Sequence, residues 1–146
     1  MNKITEFRGA YRFLSNFWPA TVEYEGLIYL STENAYQAAK MHPDNRKFFI
    51  ACTPGEAKRM ARKMPTLPNW HANRIPIMRG LLQQKFAPYT VLADMLRLTG
   101  DIEIIEGNTW GDTFWGVCNG KGENNLGKLI MEQRAYVKGV RNERPY

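Results

Sequence analysis

Residues 21–31, TVEYEGLIYLS, alternate in character on either side of Glu25-Gly26, which predicts a hairpin with a tight turn. Ser31 and Thr32 then offer a cap for a helix over about 33–41 that Pro43 ends. Thr53-Pro54-Gly55-Glu56 combines a cap hydroxyl, a first-turn proline and a capping-box glutamate, predicting a helix to about Lys63, before Pro65. Ile75, Met78, Leu82 and Phe86 recur with helical period, Pro76 falling early enough to be tolerated. Tyr89–Leu98 reads as a short helix closed by Gly100, Asp101–Glu106 alternates as a strand, and Leu126–Lys138 is a final helix. Such segregated elements predict an α+β fold: a single helix-rich domain over residues 1–146 with a small antiparallel sheet or hairpin.

Between the last strand and the last helix lies a Gly/Asn-rich stretch, residues 107–125, with no periodicity. A structureless segment of that length inside a compact domain is usually either a functional loop or a mistaken assignment. It carries Trp110, Asp112, Phe114, Trp115, Asn119, Asn124 and Asn125, a set suited to holding a flat, polar ring.

Composition narrows the chemistry. With 146 residues, 44% of them apolar, the chain can bury a core without covalent staples. Cys52 and Cys118 form no CxxC motif, and His42 and His71 stand far apart, so no disulfide scaffold, zinc site or other cofactor is expected. No apolar run approaches the ~18 residues of a membrane span, and charges occupy the opening residues, where a signal peptide needs an apolar segment. A cytoplasmic location without membrane association is the expectation. The net charge of +6 is uneven: residues 40–64 carry +5 and residues 86–112 carry −4. A basic middle suits a phosphate-bearing partner, though Lys58–Lys63 also reads as a solvated helix face.

Glu33, Tyr36, Gln37 and Lys40 stand at i, i+3, i+4 and i+7 and project from one helix face. That face is either solvated or lines a cleft in which Glu33 acts as general acid/base and Lys40 as a nucleophile. Gly122–Lys128 matches GxxxxGK, but Leu129 stands where a phosphate loop needs Ser or Thr, which excludes an ATPase. What remains is either an anion-binding helix start or a plain N-cap by Asn124 or Asn125. Asp112 among aromatics is a proton-handling group if enclosed and a surface turn if not. Asn16-Phe17-Trp18-Pro19 reads as a stacking segment or a hydrophobic anchor. Trp70 and Arg74, one turn apart, read as a stacking and phosphate pair or a staple at a helix start.

Taken in order, these segments resemble the NADAR family of YbiA-like N-glycosidases. The resemblance rests on FLSNFWP (13–19), STENAYQAAK (31–40), Trp70 with Arg74 and Met78, and Lys85-Phe86. Leu98-Thr99-Gly100 leading to Glu106, DTFWG (112–116) and GENNLGKLIM (122–131) with Arg134 complete it. It implies hydrolysis of a ribose–base N-glycosidic bond, in early pyrimidine intermediates of riboflavin biosynthesis or in ADP-ribosylated guanine of nucleic acid. It also implies that Lys40 matches the lysine implicated in a Schiff base with ribose C1, with Glu33 and Asp112 as the acidic candidates. Asn16, Trp70, Trp115 and Asn125 match positions around the ligand, and Phe17, Tyr36, Gln37, Arg74 and Glu106 join the expected substrate-binding set. The implied partner is a phosphorylated ribosyl-base or ADP-ribose-type molecule, free or on nucleic acid. The alternative is a module that binds ADP-ribose or modified nucleic acid without chemistry.

Overall fold

A computed structural model describes residues 2–143; the 1–146 domain expectation also takes in Met1 and residues 144–146, which lie outside them. The strands are β1 (Lys3–Ile4), β2 (Pro19–Tyr24), β3 (Leu27–Ser31), β4 (Glu103–Ile104), β5 (Gly107–Asn108) and β6 (Val117–Cys118). The α-helices are α1 (Thr32–Ala39), α2 (Pro54–Ala61), α3 (Trp70–Lys85), α4 (Val91–Leu98) and α5 (Asn125–Glu143), with 3-10 helices at Gly9–Leu14 and Pro43–Phe49. The described residues form two compact units, one of residues 16–85 and one of residues up to Ser15 together with Phe86 onward.

In the 16–85 unit, β2 and β3 form the expected hairpin, with Tyr24 opposite Leu27 and both turn residues at positive φ (Glu25 46°, Gly26 91°). Positive φ at both positions is the mirror-image turn whose twist suits a hairpin. Ser31 caps α1 as expected, its hydroxyl accepting from Asn34 N at 3.0 Å. Around α1 pack α2, α3, β2, β3 and the Pro43–Phe49 turn, and all eight of its residues are buried. Alanines make this possible: Ala35, Ala38 and Ala39 let neighbours approach on one side, and Ala57 and Ala61 do the same from α2. The Thr53–Glu56 capping box forms with both of its hydrogen bonds. α3 starts earlier than its periodicity suggested, at Trp70, after Asn69 turns the chain at φ 64°. Pro76 therefore lies inside α3, rather than in its first turn as expected.

In the other unit, β1 pairs with β4 and β5 with β6, both in parallel, and one isolated antiparallel bridge joins Cys118 to Lys121. The alternation of residues 101–106 overstated a strand that pairs only at Glu103–Ile104. α4 and α5 pack together, and α5 packs on β4. Here the core includes Phe13 edge-on to Phe86 at 6.5 Å, with Leu96, Ile104 and Ile130 fully buried. No helix among the described residues is long and apolar enough to cross a membrane.

Candidate active site

Burial excludes the solvated reading of the α1 face. Glu33, Tyr36 and Gln37 retain 8%, 6% and 5% of their accessible surface, so the face is not solvated. A carboxylate held that far from water needs partners. Gln37 supplies one, donating from Nε2 to Glu33 Oε2 at 2.6 Å, the i, i+4 contact that the spacing predicts. The Glu33 amide donates to the Asn16 carbonyl at 3.0 Å, which fixes the Asn16-Phe17 segment against the start of α1. The Asn16 side-chain amide reaches Met78 Sδ at 3.8 Å. Asn16 Oδ1 and Gln37 Oε1 are buried with no hydrogen-bond partner among the described residues.

Lys40 is the C-cap of α1 and only half-buried, with Nζ 5.0 Å from the centre of the Tyr36 ring. The Tyr36 ring also packs against Trp70, whose ring lies 5.3 Å away at 58°. Lys40 is thus held on a cation–π surface that is itself packed. Arg74 lies one turn along α3 from Trp70, half-buried, while Phe17 is 44% exposed.

Two residues that sequence reasoning passed over secure this arrangement. Arg46, 5% exposed, donates from Nε to the Ala38 and Met41 carbonyls at 3.2 Å, closing the C-terminus of α1 beside Lys40. Its Nη1 reaches Glu25 Oε2 at 2.8 Å, which ties the hairpin turn to the same point. Asn34, 1% exposed, donates to the Phe49 and Cys52 carbonyls at 2.9 Å. Lys85, known from the sequence only as part of the Lys85-Phe86 motif, is 3% exposed, and burial lowers its amine to about 7. Helical phase places it on the same α3 face as Met78, Leu81 and Leu82, a stripe that reads as apolar core until its last member.

The other predicted residues lie in the second unit, where residues 107–125 are tightly built by side-chain amides. Asp112 is half-buried, and its Oδ1 accepts from Phe114 N at 3.1 Å and Trp115 N at 2.9 Å. It therefore organises the turn that carries Trp115, whose ring stands edge-on to Phe114 at 4.8 Å. Asn125 donates to the Phe114 carbonyl at 2.9 Å. Asn108 donates from Nδ2 to Glu106 Oε2 at 3.0 Å and to the Asp112 carbonyl at 2.9 Å, and accepts from Asp112 N. Asn124 bonds the backbone of Ile104 and Glu106 through its side chain. Both asparagines offered as N-caps of α5 thus spend their side-chain amide groups on this loop and on the end of β4. A groove of about 340 Å³ in this unit, lined in part by Thr5, Arg8 and Ile105, contains none of the predicted site residues. Among the described residues, no group of three His, Cys, Asp or Glu side chains is placed to share a metal ion.

Comparison with known proteins agrees with these motifs. The model of the family described as "NADAR domain" matches residues 5–138. The chain is 34% identical over 131 residues to the N-glycosidase YbiA of Escherichia coli strain K12, covering 85% of this chain and 80% of that one. It is likewise 34% identical over 127 residues to a riboflavin biosynthesis protein of Vibrio vulnificus, covering 84% of this chain but only 34% of that longer protein. The NMR structure of E. coli YbiA superposes with a TM-score of 0.84 at 28% identity, over 100% of this chain and 91% of that one.

Proposed function

The chain belongs to the NADAR family, and from that premise we propose that this N-glycosidase hydrolyses the bond between ribose C1 and a base nitrogen in a phosphorylated, nucleotide-like substrate. The observation that carries the proposal is α1 itself. A buried carboxylate, Glu33, and an amine, Lys40, share one helix face two turns apart, about 10 Å along the axis. Gln37 Oε1 and Asn16 Oδ1 are acceptors of the kind that ribose hydroxyls satisfy, since a buried acceptor without a donor costs free energy.

Cleavage passes through an oxocarbenium-like state, so it needs a nucleophile or negative charge at C1 and a proton for the departing nitrogen. Glu33 supplies the proton as general acid. Lys40, having given its ammonium proton to solvent, forms a bond to C1 through the amine as the C1–N bond breaks, and the base leaves with the Glu33 proton. Opening of the sugar ring then gives an imine at Lys40, and water adds to C1, returns a proton to Glu33 and releases the amine. One water is consumed per bond broken. The division into two smaller barriers is the advantage of a covalent route. By family resemblance we propose Asp112 as a second acidic group and Glu106, Trp115 and Asn125 as substrate contacts. The substrate class is an early pyrimidine intermediate of riboflavin biosynthesis or ADP-ribosylated guanine.

Mass spectrometry of products from both substrates, run beside variants, tests this reading. Lys40→Ala and Glu33→Gln are expected to lower base release by at least about a hundredfold, with folding unchanged by circular dichroism. Borohydride added during turnover is expected to tag Lys40 covalently. Full activity in both variants overturns the site, and substrate binding without product in the parent chain favours a recognition module instead.

A further inference from the structure

Glu106 is half-buried and held from both ends. On its backbone side, Asn124 Oδ1 accepts from Glu106 N and Asn124 Nδ2 donates to the Ile104 carbonyl, each at 2.9 Å. These groups flank Ile105 and are the pair that a neighbouring strand would bond. One side-chain amide therefore stands in for a strand residue, while Ile105 N bonds the Ile4 carbonyl. The substitution depends on two local features. Asn124 takes φ 54°, which Asn tolerates better than most residues, and a Cβ at Gly127 would collide with the Asn124 amide and with the Ile104 carbonyl.

At its other end, the Glu106 carboxylate accepts from Asn108 Nδ2 at 3.0 Å. A Cβ on Gly116 would collide with the same Oε2 and with the Glu106 carbonyl, so that glycine provides the clearance in which the carboxylate sits. Asn108 is in turn locked by accepting from Asp112 N at 3.0 Å, which sets its amide with nitrogen toward Glu106. A donor so placed favours the ionised, acceptor-only carboxylate. A solvated surface glutamate needs none of this.

We propose that Asn124 and Asn108 are positioning residues, fixing Glu106 so that its carboxylate accepts hydrogen bonds from the substrate's N–H or O–H donors. The proposal rests on the reading of Glu106 as a substrate contact given above. Neither asparagine touches substrate; each acts through Glu106.

Steady-state kinetics, with a ribosylaminopyrimidine phosphate and ADP-ribosylated guanosine in parallel, separate the two claims. Glu106→Gln is expected to raise KM about tenfold or more while kcat changes less than about threefold, the signature of a lost charge-assisted contact. Asn124→Gly keeps the backbone conformation and deletes the amide; it is expected to reproduce the KM rise, with Asn124→Asp, which keeps the acceptor for Glu106 N, recovering part of it. Asn108→Ala deletes the donor to the Glu106 carboxylate and is expected to raise KM about tenfold with kcat changed less than about threefold, the same split as Glu106→Gln. A merely structural asparagine would lower stability without that split. A raised KM in Glu106→Gln with parental KM in Asn124→Gly and in Asn108→Ala overturns the positioning roles and leaves the Glu106 contact standing. Parental kinetics in Glu106→Gln overturn both. Should Asn124→Gly fail to fold, the KM of Asn108→Ala decides alone.

Discussion

α1 and residues 107–125 both hold polar side chains in fixed places, by opposite means. α1 does so with a regular backbone: its hydrogen bonds are made internally, so Glu33, Tyr36 and Gln37 enter the interior needing partners only for their tips. Residues 107–125 have only a two-residue ladder and scattered backbone bonds, and asparagine and aspartate side chains supplement them, each bonding a backbone group or a neighbour. The first device tolerates burial because the main chain is already satisfied. The second remains half-buried, and close-packed glycines give its backbone room. A helix is thus the place for a deeply desolvated carboxylate, and an amide-built loop the place for groups shaped to one ligand.

The contrast is broken most directly at Asn34, the residue that anchors α1 to the segment after it. Asn34→Ala removes the donor to two carbonyls, those of Phe49 and Cys52, inside a buried site. At about 1–3 kcal/mol for each carbonyl left unsatisfied, a loss on the order of 3 kcal/mol is expected in urea unfolding. A loss below about 1 kcal/mol would mean that α1 does not depend on this anchor. Gly116→Ala tests the other device. The new methyl group would collide with the Glu106 carbonyl and carboxylate, and a loss of about 2 kcal/mol is expected, with a raised KM. Unchanged stability would show that the loop has slack and is not packed as argued.

The two regions also differed in how far the sequence disclosed them. The Glu25-Gly26 turn, the Ser31 cap and the Thr53–Glu56 box were legible because donor and acceptor lie within a few residues. So was the shared face of Glu33 and Gln37, which helical geometry dictates. The burial of that face was not legible: Glu, Gln and Ala have the composition of a solvated helix, and only the elements packed around it remove the solvent. The long-range roles of Asn34, Arg46 and Asn124 were not legible, because the partners that define them lie between five and 21 residues away, beyond any capping pattern. The two-residue parallel ladders are too short to leave a period. Lys85 ended a stripe that looked like ordinary core.

Lys85 carries the comparison into pH, since a buried amine on a helix face should mark this unit's stability where the half-buried loop does not. Burial lowers its amine to about 7, against about 10.4 in an unfolded chain. Below pH 7 both states hold the proton, and the folded chain bears the full cost of an enclosed ammonium. Between about 7 and 10.4 the unfolded chain keeps a proton that the folded chain has released, so stability rises with pH, by up to about 1.4 kcal/mol per unit. Lys85→Met removes this linkage and fills a similar volume. The variant is expected to gain most over the parent near pH 6–7, and the gap to shrink steadily toward pH 10, in urea titrations at fixed ionic strength. Stability curves for parent and variant that run parallel from pH 6 to pH 10 would place the amine's titration outside this window and remove Lys85 from the account of the buried polar helices.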